Sequence, residues 1–156
     1  MSTVTVFGAG AWGSTMAQVL SDAGNDVLLW GRSKDVIAEI NSVHTNKKYL
    51  GAHELPHSLR ATTDLAQAFA HSHIYVLAIP AQQLRLTLQE WKPFFATDSI
   101  IVSTLKGIEI STQMRMTEVI EDVLGPRAVA IITGPNLADE LVLRQPAGAV
   151  GQAARV

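Results

Sequence analysis

The 156-residue sequence lacks several features, and each absence excludes a class of protein. It contains no cysteine, which excludes disulfide bonds and thiol chemistry and fits a cytoplasmic protein. Charged residues make up only 17% of the chain and hydrophobic residues 47%, a balance that excludes a disordered protein. The sequence therefore predicts one folded domain over residues 1–156.

The sequence also gives no support for a membrane protein or a nucleic-acid-binding protein. No apolar run approaches the length of about 18 residues that a membrane-spanning helix needs. The first residues lead directly into a predicted strand and show no signal-peptide pattern. The formal net charge is −2, and the basic residues are scattered, so no nucleic-acid partner is expected.

Short apolar runs alternate with longer helical patterns along the chain. Because these runs are continuously apolar, we expect strands that are buried on both faces, as in a parallel sheet covered by helices. The sequence predicts an α/β fold with a doubly wound, mostly parallel Rossmann-type sheet and helices on both faces. The predicted strands cover residues 4–7, 27–30, 59–62, 74–79, 100–104 and 129–133, and residues 147–150 begin a last strand.

Four stripes of apolar residues at helical spacing predict helices between these strands. Ser33 is expected to cap the second of them. The stripes are Ala17, Leu20 and Ala23; Val36, Ile37 and Ile40; Leu84, Leu88 and Trp91; and Met116, Val119, Ile120 and Val123.

A glycine-rich motif, Gly8-Ala9-Gly10-Ala11-Trp12-Gly13, follows the first strand and opens the first helix. In this spacing Gly8 permits the tight turn, Gly10 lets a pyrophosphate approach the backbone, and Gly13 lets the helix pack closely on the strand. The start of the helix adds free N–H groups and a positive dipole end. The motif in this context predicts a dinucleotide site that includes these glycines and Ala11.

The end of the second strand predicts which dinucleotide binds. An acidic residue there would accept hydrogen bonds from a ribose 2′-hydroxyl, whereas an arginine would pair with a 2′-phosphate. Here Arg32 and Ser33 follow the strand, which favours NADP over NAD. A solvated arginine beside a helix cap is the alternative, and arginine can also stack on adenine, so NAD is not excluded.

Two further segments follow strands at the edge where ligands bind in such sheets. Lys106 comes directly after the fifth strand and is expected to lie over the ligand crevice. After the sixth strand, Asn136 is expected to cap a short helix, and the exposed amides there could bind a phosphate or hydroxyl group. Capping alone would explain this second segment equally well.

Residues 53–57 match the H-E-x-x-H pattern of zinc proteases letter for letter. That chemistry requires both histidines on one helical face. Pro56 opposes a helix at this position, so we interpret His53 and His57 as loop residues and predict no metal site.

With these residues identified, the sequence resembles the amino-terminal half of bacterial NAD(P)-dependent glycerol-3-phosphate dehydrogenases. The tryptophan inside the glycine motif and the later Lys-Gly-Ile-Glu block are specific in combination. The resemblance covers essentially the whole chain and rests on Gly8-x-Gly10-x-Trp12-Gly13, Trp30-Gly31-Arg32, Tyr49-Leu50, Leu55-Pro56, Ala61-Thr62, Asp64-Leu65, Lys106-Gly107-Ile108-Glu109 and Gly134-Pro135-x-x-Ala138-x-Glu140.

This resemblance implies an enzyme that interconverts dihydroxyacetone phosphate and glycerol 3-phosphate by hydride transfer with NAD(P)H, for phospholipid synthesis. It also implies a cytoplasmic enzyme that is a homodimer at full length. It implies substrate contacts at Lys106, Gly134 and Asn136, although the family usually has serine or threonine at the last position. Cofactor contacts are implied at Trp12, Arg32, Ser33, Tyr49, Lys106 and Ala138, and we add Pro80 to this set.

The resemblance also implies that the catalytic lysine belongs to a helical substrate domain following residue 156. The chain is then expected to bind NADP or NAD with little or no turnover, with Lys106 as an auxiliary group at most. Two alternatives stay open at this point. One is a non-catalytic module that senses NAD(P), and the other is a related two-domain reductase of hydroxy or keto acids.

Overall fold

A computed structural model describes residues 1–153, and within them seven strands form one sheet in the order β3-β2-β1-β4-β5-β6-β7. Neighbouring strands are parallel except for the antiparallel pair of β6 and β7. The strands are β1 (Thr3–Phe7), β2 (Asp26–Trp30), β3 (Arg60–Thr62), β4 (Ile74–Leu77), β5 (Ile100–Ser103), β6 (Ala128–Thr133) and β7 (Val150–Ala153).

The strand order confirms the predicted doubly wound sheet. The chain first runs outward from β1 to β3 and then outward on the other side from β4 to β6, so the order reverses between β1 and β4. In open α/β sheets the ligand crevice lies at this switch point, outside the carboxyl ends of the strands. The topology therefore places the expected ligand site at the loops that follow β1 and β4.

Helices cover both faces of the sheet and bury two apolar layers. The helices are α1 (Ala11–Asp22), α2 (Lys34–Val43), α3 (Lys47–Leu50), α4 (Leu65–His71), α5 (Leu84–Trp91), α6 (Met116–Leu124) and α7 (Ala138–Val142). One layer lies beneath α4, α5 and α6 and the other beneath α1 and α2. Within the described residues, none of the helices is both long enough and apolar enough to cross a bilayer.

Aromatic side chains fill the layer beneath α4 and α5. The ring of Phe7 lies 5.0 Å from that of Trp91 and 4.7 Å from that of Phe69, measured between centroids. Trp30 packs edge-on against Trp91, also at 5.0 Å. Such tilted and edge-on contacts are the favoured arrangements of aromatic pairs. This cluster fixes the end of β2, and with it the position of the residues that follow Trp30.

Two predictions about local structure are wrong. The last strand was expected at residues 147–150, but β7 occupies Val150–Ala153 and is exposed throughout. Helix α1 was expected to bury Ala17, Leu20 and Ala23, yet Leu20 is only half-buried and Ala23 is exposed. The buried face of α1 is instead made of small and polar residues, among them Ser14, Thr15 and Gln18. The stripes predicted for the helices α2, α5 and α6 are buried as expected.

Helix α1 lies unusually close to the turn that precedes it. A Cβ atom built on Gly13 would stand 1.7 Å from the carbonyl oxygen of Gly8, well inside any real contact distance. Gly8 itself has a positive φ of 119°, and a Cβ there would meet the carbonyl oxygen of Ala78 at 2.4 Å. Gly8 and Gly13 therefore have the roles that their spacing predicts, the first in the tight turn and the second in the close packing of the helix.

We expect Gly13→Ala to lower the free energy of unfolding by about 3 kcal/mol or more, because the new methyl group must push α1 away from the sheet. Urea unfolding followed by circular dichroism measures this loss. Gly10→Ala is the matched control, since a Cβ there meets no heavy atom within 4 Å, and its stability should stay within about 1 kcal/mol of wild type. Equal stability of the Gly13→Ala variant and wild type would show that the close packing is not a constraint.

Candidate functional site

A cavity of about 1120 Å³ opens at the carboxyl ends of β1, β2, β4 and β5, where the switch point predicts it. Its volume slightly exceeds the range typical of small-molecule sites. The predicted site residues that line it are Gly8, Gly10, Ala11, Trp12, Gly13, Arg32, Ser33, Tyr49, Pro80 and Lys106. Segments that are distant in sequence thus line the same cavity.

The start of α1 supplies the cavity with hydrogen-bond donors. Gly10 occupies the N-cap position in an extended conformation, and no side chain caps the helix. The first turn also carries no acidic residue. Free N–H groups and the positive end of the helix dipole therefore face the cavity, a donor set that suits an anionic diphosphate. The residues present fit a dinucleotide.

Lys106 lines the cavity and contacts both Trp12 and Gly134. The Lys106 Nζ donates a hydrogen bond of 3.1 Å to the Gly134 carbonyl oxygen and lies 5.8 Å from the centre of the Trp12 ring. The side chain is otherwise exposed, so its charge is accessible to a ligand. The Lys106 side chain thereby connects the segments after β1, β5 and β6 and places a positive charge between them.

The segment that follows β6 departs from prediction. Asn136 was expected to cap α7, but the N-cap position belongs to Leu137 and has no side-chain hydrogen bond. The Asn136 amide instead packs against Gly134, with its Nδ2 atom 2.7 Å from where a Cβ of that glycine would lie. Gly134, Asn136 and Ala138 are not among the residues that line the cavity. Their predicted ligand contacts therefore stay predictions.

Arg32, Ser33 and Tyr49 border the cavity at the end of β2. The Ser33 hydroxyl accepts a hydrogen bond of 3.4 Å from the Val36 N–H and caps α2, as the sequence predicts. Arg32 is exposed, and its guanidinium makes no hydrogen bond within the described residues. Tyr49 is 42% exposed, with the Lys48 ammonium group 5.2 Å above its ring. The exposed guanidinium of Arg32 thus borders this end of the cavity.

The loop that carries Lys106 is held from behind by a buried ion pair. Glu109 is 6% exposed and accepts hydrogen bonds of 3.0 and 3.1 Å from the guanidinium of Arg85 on α5. Asp122 of α6 and Thr112 bind the same pair. The hydrogen bonds from Arg85 and Thr112 lower the pKa of Glu109 below its usual value. The glutamate of the Lys-Gly-Ile-Glu block therefore anchors the loop.

A second anchor holds the same loop. The Gln82 side chain donates a hydrogen bond of 2.8 Å to the Ile108 carbonyl oxygen and accepts one of 3.0 Å from the Ile110 N–H. Gln82 lies just before α5, next to cavity-lining residues. The loop after β5 is thus attached to the wall formed by the loop after β4.

The cavity also has a polar wall that the sequence patterns did not predict. Gln83, directly before α5, and Thr87 and Glu90 within it recur at positions i, i+4 and i+7 and line the cavity. The signal was in the sequence, because this polar stripe accompanies the apolar stripe that predicts the helix. Leu65 at the start of α4 lines the cavity as well, and helix α4 had not been predicted at all.

The zinc-protease pattern at residues 53–57 lies outside any helix, in agreement with the interpretation of its histidines as loop residues. The exposed side chains of Glu54 and His57 share a hydrogen bond of 2.8 Å, and the His57 ring lies tilted against that of His44, with 4.1 Å between the centroids. Within residues 1–153, no group of three or more potential ligands is arranged to hold a metal ion.

Residues 3–155 match the family model described as the N-terminus of NAD-dependent glycerol-3-phosphate dehydrogenase. Glycerol-3-phosphate dehydrogenase [NAD(P)+] of Streptomyces avermitilis is 50% identical over 147 residues, which are 93% of this chain and 44% of that protein. The enzyme of the same name from Corynebacterium diphtheriae is 49% identical over 94% of this chain and 45% of its own length.

Solved structures agree with the sequence comparisons. The crystal structure of glycerol-3-phosphate dehydrogenase from Coxiella burnetii superimposes with a TM-score of 0.91 at 26% identity. The match covers 99% of this chain and 47% of that one. The chain therefore spans slightly less than half the length of the relatives that it matches.

We expect the stability of the wild-type chain to fall more steeply on acidification than that of Glu109→Gln. Folding lowers the pKa of Glu109, so its carboxylate contributes fully to the free energy of unfolding at pH values above the usual carboxylate pKa of 4.5. This contribution is lost as the pH falls through the lowered pKa. Urea unfolding at pH values from about 6 to about 3 tests this expectation. Glu121→Gln, which changes an exposed carboxylate on α6, is the control, and its free energy of unfolding should depend on pH as that of wild type does. The same pH dependence in Glu109→Gln would contradict the anchoring role of Glu109.

Proposed function

The chain belongs to the family of NAD-dependent glycerol-3-phosphate dehydrogenases, whose N-terminal domain it carries, and we propose that it is the cofactor-binding half of an enzyme that interconverts dihydroxyacetone phosphate and glycerol 3-phosphate. The relatives that it matches are about twice as long, so substrate and reaction are inferred for the longer enzyme. Such an enzyme supplies the glycerol backbone of phospholipids.

One observation carries this proposal, namely the convergence of the glycine turn, Lys106 and Arg32 on a single cavity. The free amides at the start of α1 hold the diphosphate of the dinucleotide. Lys106 lines the cavity and contacts Trp12 and Gly134, so we assign the nicotinamide and the substrate to the end of the cavity that Lys106 occupies. Arg32, which follows β2, belongs to the opposite, adenosine end.

The bound nicotinamide supplies or accepts the hydride. The part of the chain described by the structure contributes binding, orientation and one positive charge, that of Lys106, beside the reacting atoms. This charge attracts the phosphate of the substrate or polarises its carbonyl group, as an auxiliary to the reaction. Hydride transfer also needs a group that exchanges a proton at the substrate oxygen, and we assign that role to a lysine of the domain that follows in the longer enzyme.

Arg32 is proposed to favour NADP over NAD. Its guanidinium has no partner within the described residues and borders the cavity directly after β2, where a 2′-phosphate would be placed. Contacts of ligands with Ser33, Tyr49, Pro80, Gly134, Asn136 and Ala138 belong to the same proposal. A homodimeric full-length enzyme and a cytoplasmic location remain predictions.

Arg32→Ala should weaken NADPH binding by about tenfold or more and NADH binding by less than about threefold, because only NADPH loses a charged hydrogen-bonding partner. Fluorescence titration of the chain with each nucleotide measures both constants. Lys34→Ala is the matched control, since it removes an exposed positive charge two residues further on, outside the cavity lining. Unchanged affinities in Arg32→Ala would remove the assignment of NADP.

The chain alone should show little or no turnover of glycerol 3-phosphate, whereas joining it to the C-terminal half of the Streptomyces avermitilis relative should restore oxidation. The added half supplies the proton-transfer group that the proposal requires. NADPH formation at 340 nm is the readout, and Lys106→Met in the chimera should lower it. Nucleotide-dependent self-association of the chain, combined with an inactive chimera that still folds, would favour a sensing module instead.

A further inference from the structure

Asn46 is a fully buried polar residue that the cofactor motif does not include. It lies between α2 and α3, far in sequence from the glycine turn. Its side-chain Nδ2 atom donates one hydrogen bond of 3.1 Å to the Ala9 carbonyl oxygen and another of 2.8 Å to the Ser14 hydroxyl. A single amide nitrogen thus contacts both the middle of the glycine turn and the first helix behind it.

The contact with Ala9 determines where the next N–H points. In a trans peptide the carbonyl and the N–H of one unit point in opposite directions, and the chain has no cis peptide bond within the described residues. The Ala9 carbonyl turns inward to Asn46, so the Gly10 N–H of the same unit turns the other way. That N–H donates to no atom within residues 1–153, and Gly10 lines the cavity.

Asn46 also reaches the opposite wall of the cavity through its own backbone. Its carbonyl oxygen accepts hydrogen bonds of 3.1 Å from the Tyr49 N–H and 2.8 Å from the Leu50 N–H. Tyr49 lines the cavity, and Leu50 is buried in the core. One buried residue therefore connects the glycine turn to the segment that carries Tyr49.

We propose that Asn46 is a positioning residue that turns the Ala9–Gly10 peptide so that the Gly10 N–H is presented to the diphosphate of the nucleotide. This inference rests on the proposed function, because it assigns how the same site binds its anionic ligand. The Ala9 carbonyl can only accept a hydrogen bond, so the role requires an N–H donor. A nitrogen with two hydrogens can donate to this carbonyl and to the Ser14 hydroxyl at the same time. Aspartate, which has the same size but no N–H, would place an oxygen against that carbonyl.

The test compares a ligand that has a diphosphate with one that has none. Titrations of the ¹⁵N-labelled chain with ADP and with adenosine, followed by NMR, give both affinities and the signal of the Gly10 amide. In Asn46→Ala and Asn46→Asp we expect ADP to bind about tenfold more weakly or worse, because a hydrogen bond to a charged group is lost. Adenosine should bind within about twofold of wild type, and the shift of the Gly10 signal with ADP should shrink.

Asn41 offers a matched control. It is also an asparagine with two side-chain hydrogen bonds, both to the backbone of Ala61, at 2.8 and 2.9 Å, and it does not line the cavity. Asn41→Ala should therefore leave the affinities for both ligands and the Gly10 response unchanged. Asn46→Asp preserves side-chain size and serves as the test variant should Asn46→Ala fail to fold, which circular dichroism reports.

Three outcomes would overturn the inference. Wild-type affinity for ADP in both Asn46 variants would show that the amide does not position the turn. Equal weakening of ADP and adenosine would indicate a general structural role. Failure of the wild-type chain to bind ADP, NADH or NADPH would overturn the proposed function and this inference together, whereas the first two outcomes leave the proposed function intact.

Discussion

The close packing of α1 on the turn after β1 is the constraint on which the site depends. Gly13 approaches the Gly8 carbonyl so closely that no side chain fits between them. This contact presses the start of α1 against the ends of β1 and β4, where the strand order reverses. Backbone N–H groups, which cannot extend toward a ligand as side chains do, are thereby placed directly at the cavity.

The loops around the cavity keep their shape through polar contacts made on the side away from it. Arg85 and Glu109 form a largely buried ion pair behind the segment with Lys106, and Gln82 binds the backbone of the same segment. Asn46 holds the glycine turn in a comparable way. Removing one partner of a buried polar pair costs more than forming the pair contributes, so such anchors restrict each loop to one arrangement. The groups that face the cavity remain free for ligands.

Most patterns within one element were predicted well, with the apolar stripe of α1 as an exception, whereas contacts between elements were not. The glycine turn, the cap at Ser33 and the apolar stripes of α2, α5 and α6 depend on residues within a few positions of each other. The cap assigned to Asn136 was wrong by one residue, because Leu137 occupies that position in the actual helix. The exposed strand β7 carries no apolar alternation, and its antiparallel pairing with β6 is a contact between elements.

The sequence by itself determined the fold class, the location of the nucleotide-binding turn and the approximate positions of most strands along the chain, because glycine spacing and hydrophobic period are local properties of the chain. Only the tertiary structure decided that Lys106 meets Trp12 and Gly134, and that Thr87 and Glu90 line the cavity. It alone showed the partners of Asn46. These contacts join residues that are distant in sequence, and their distances follow from how the helices pack on the sheet.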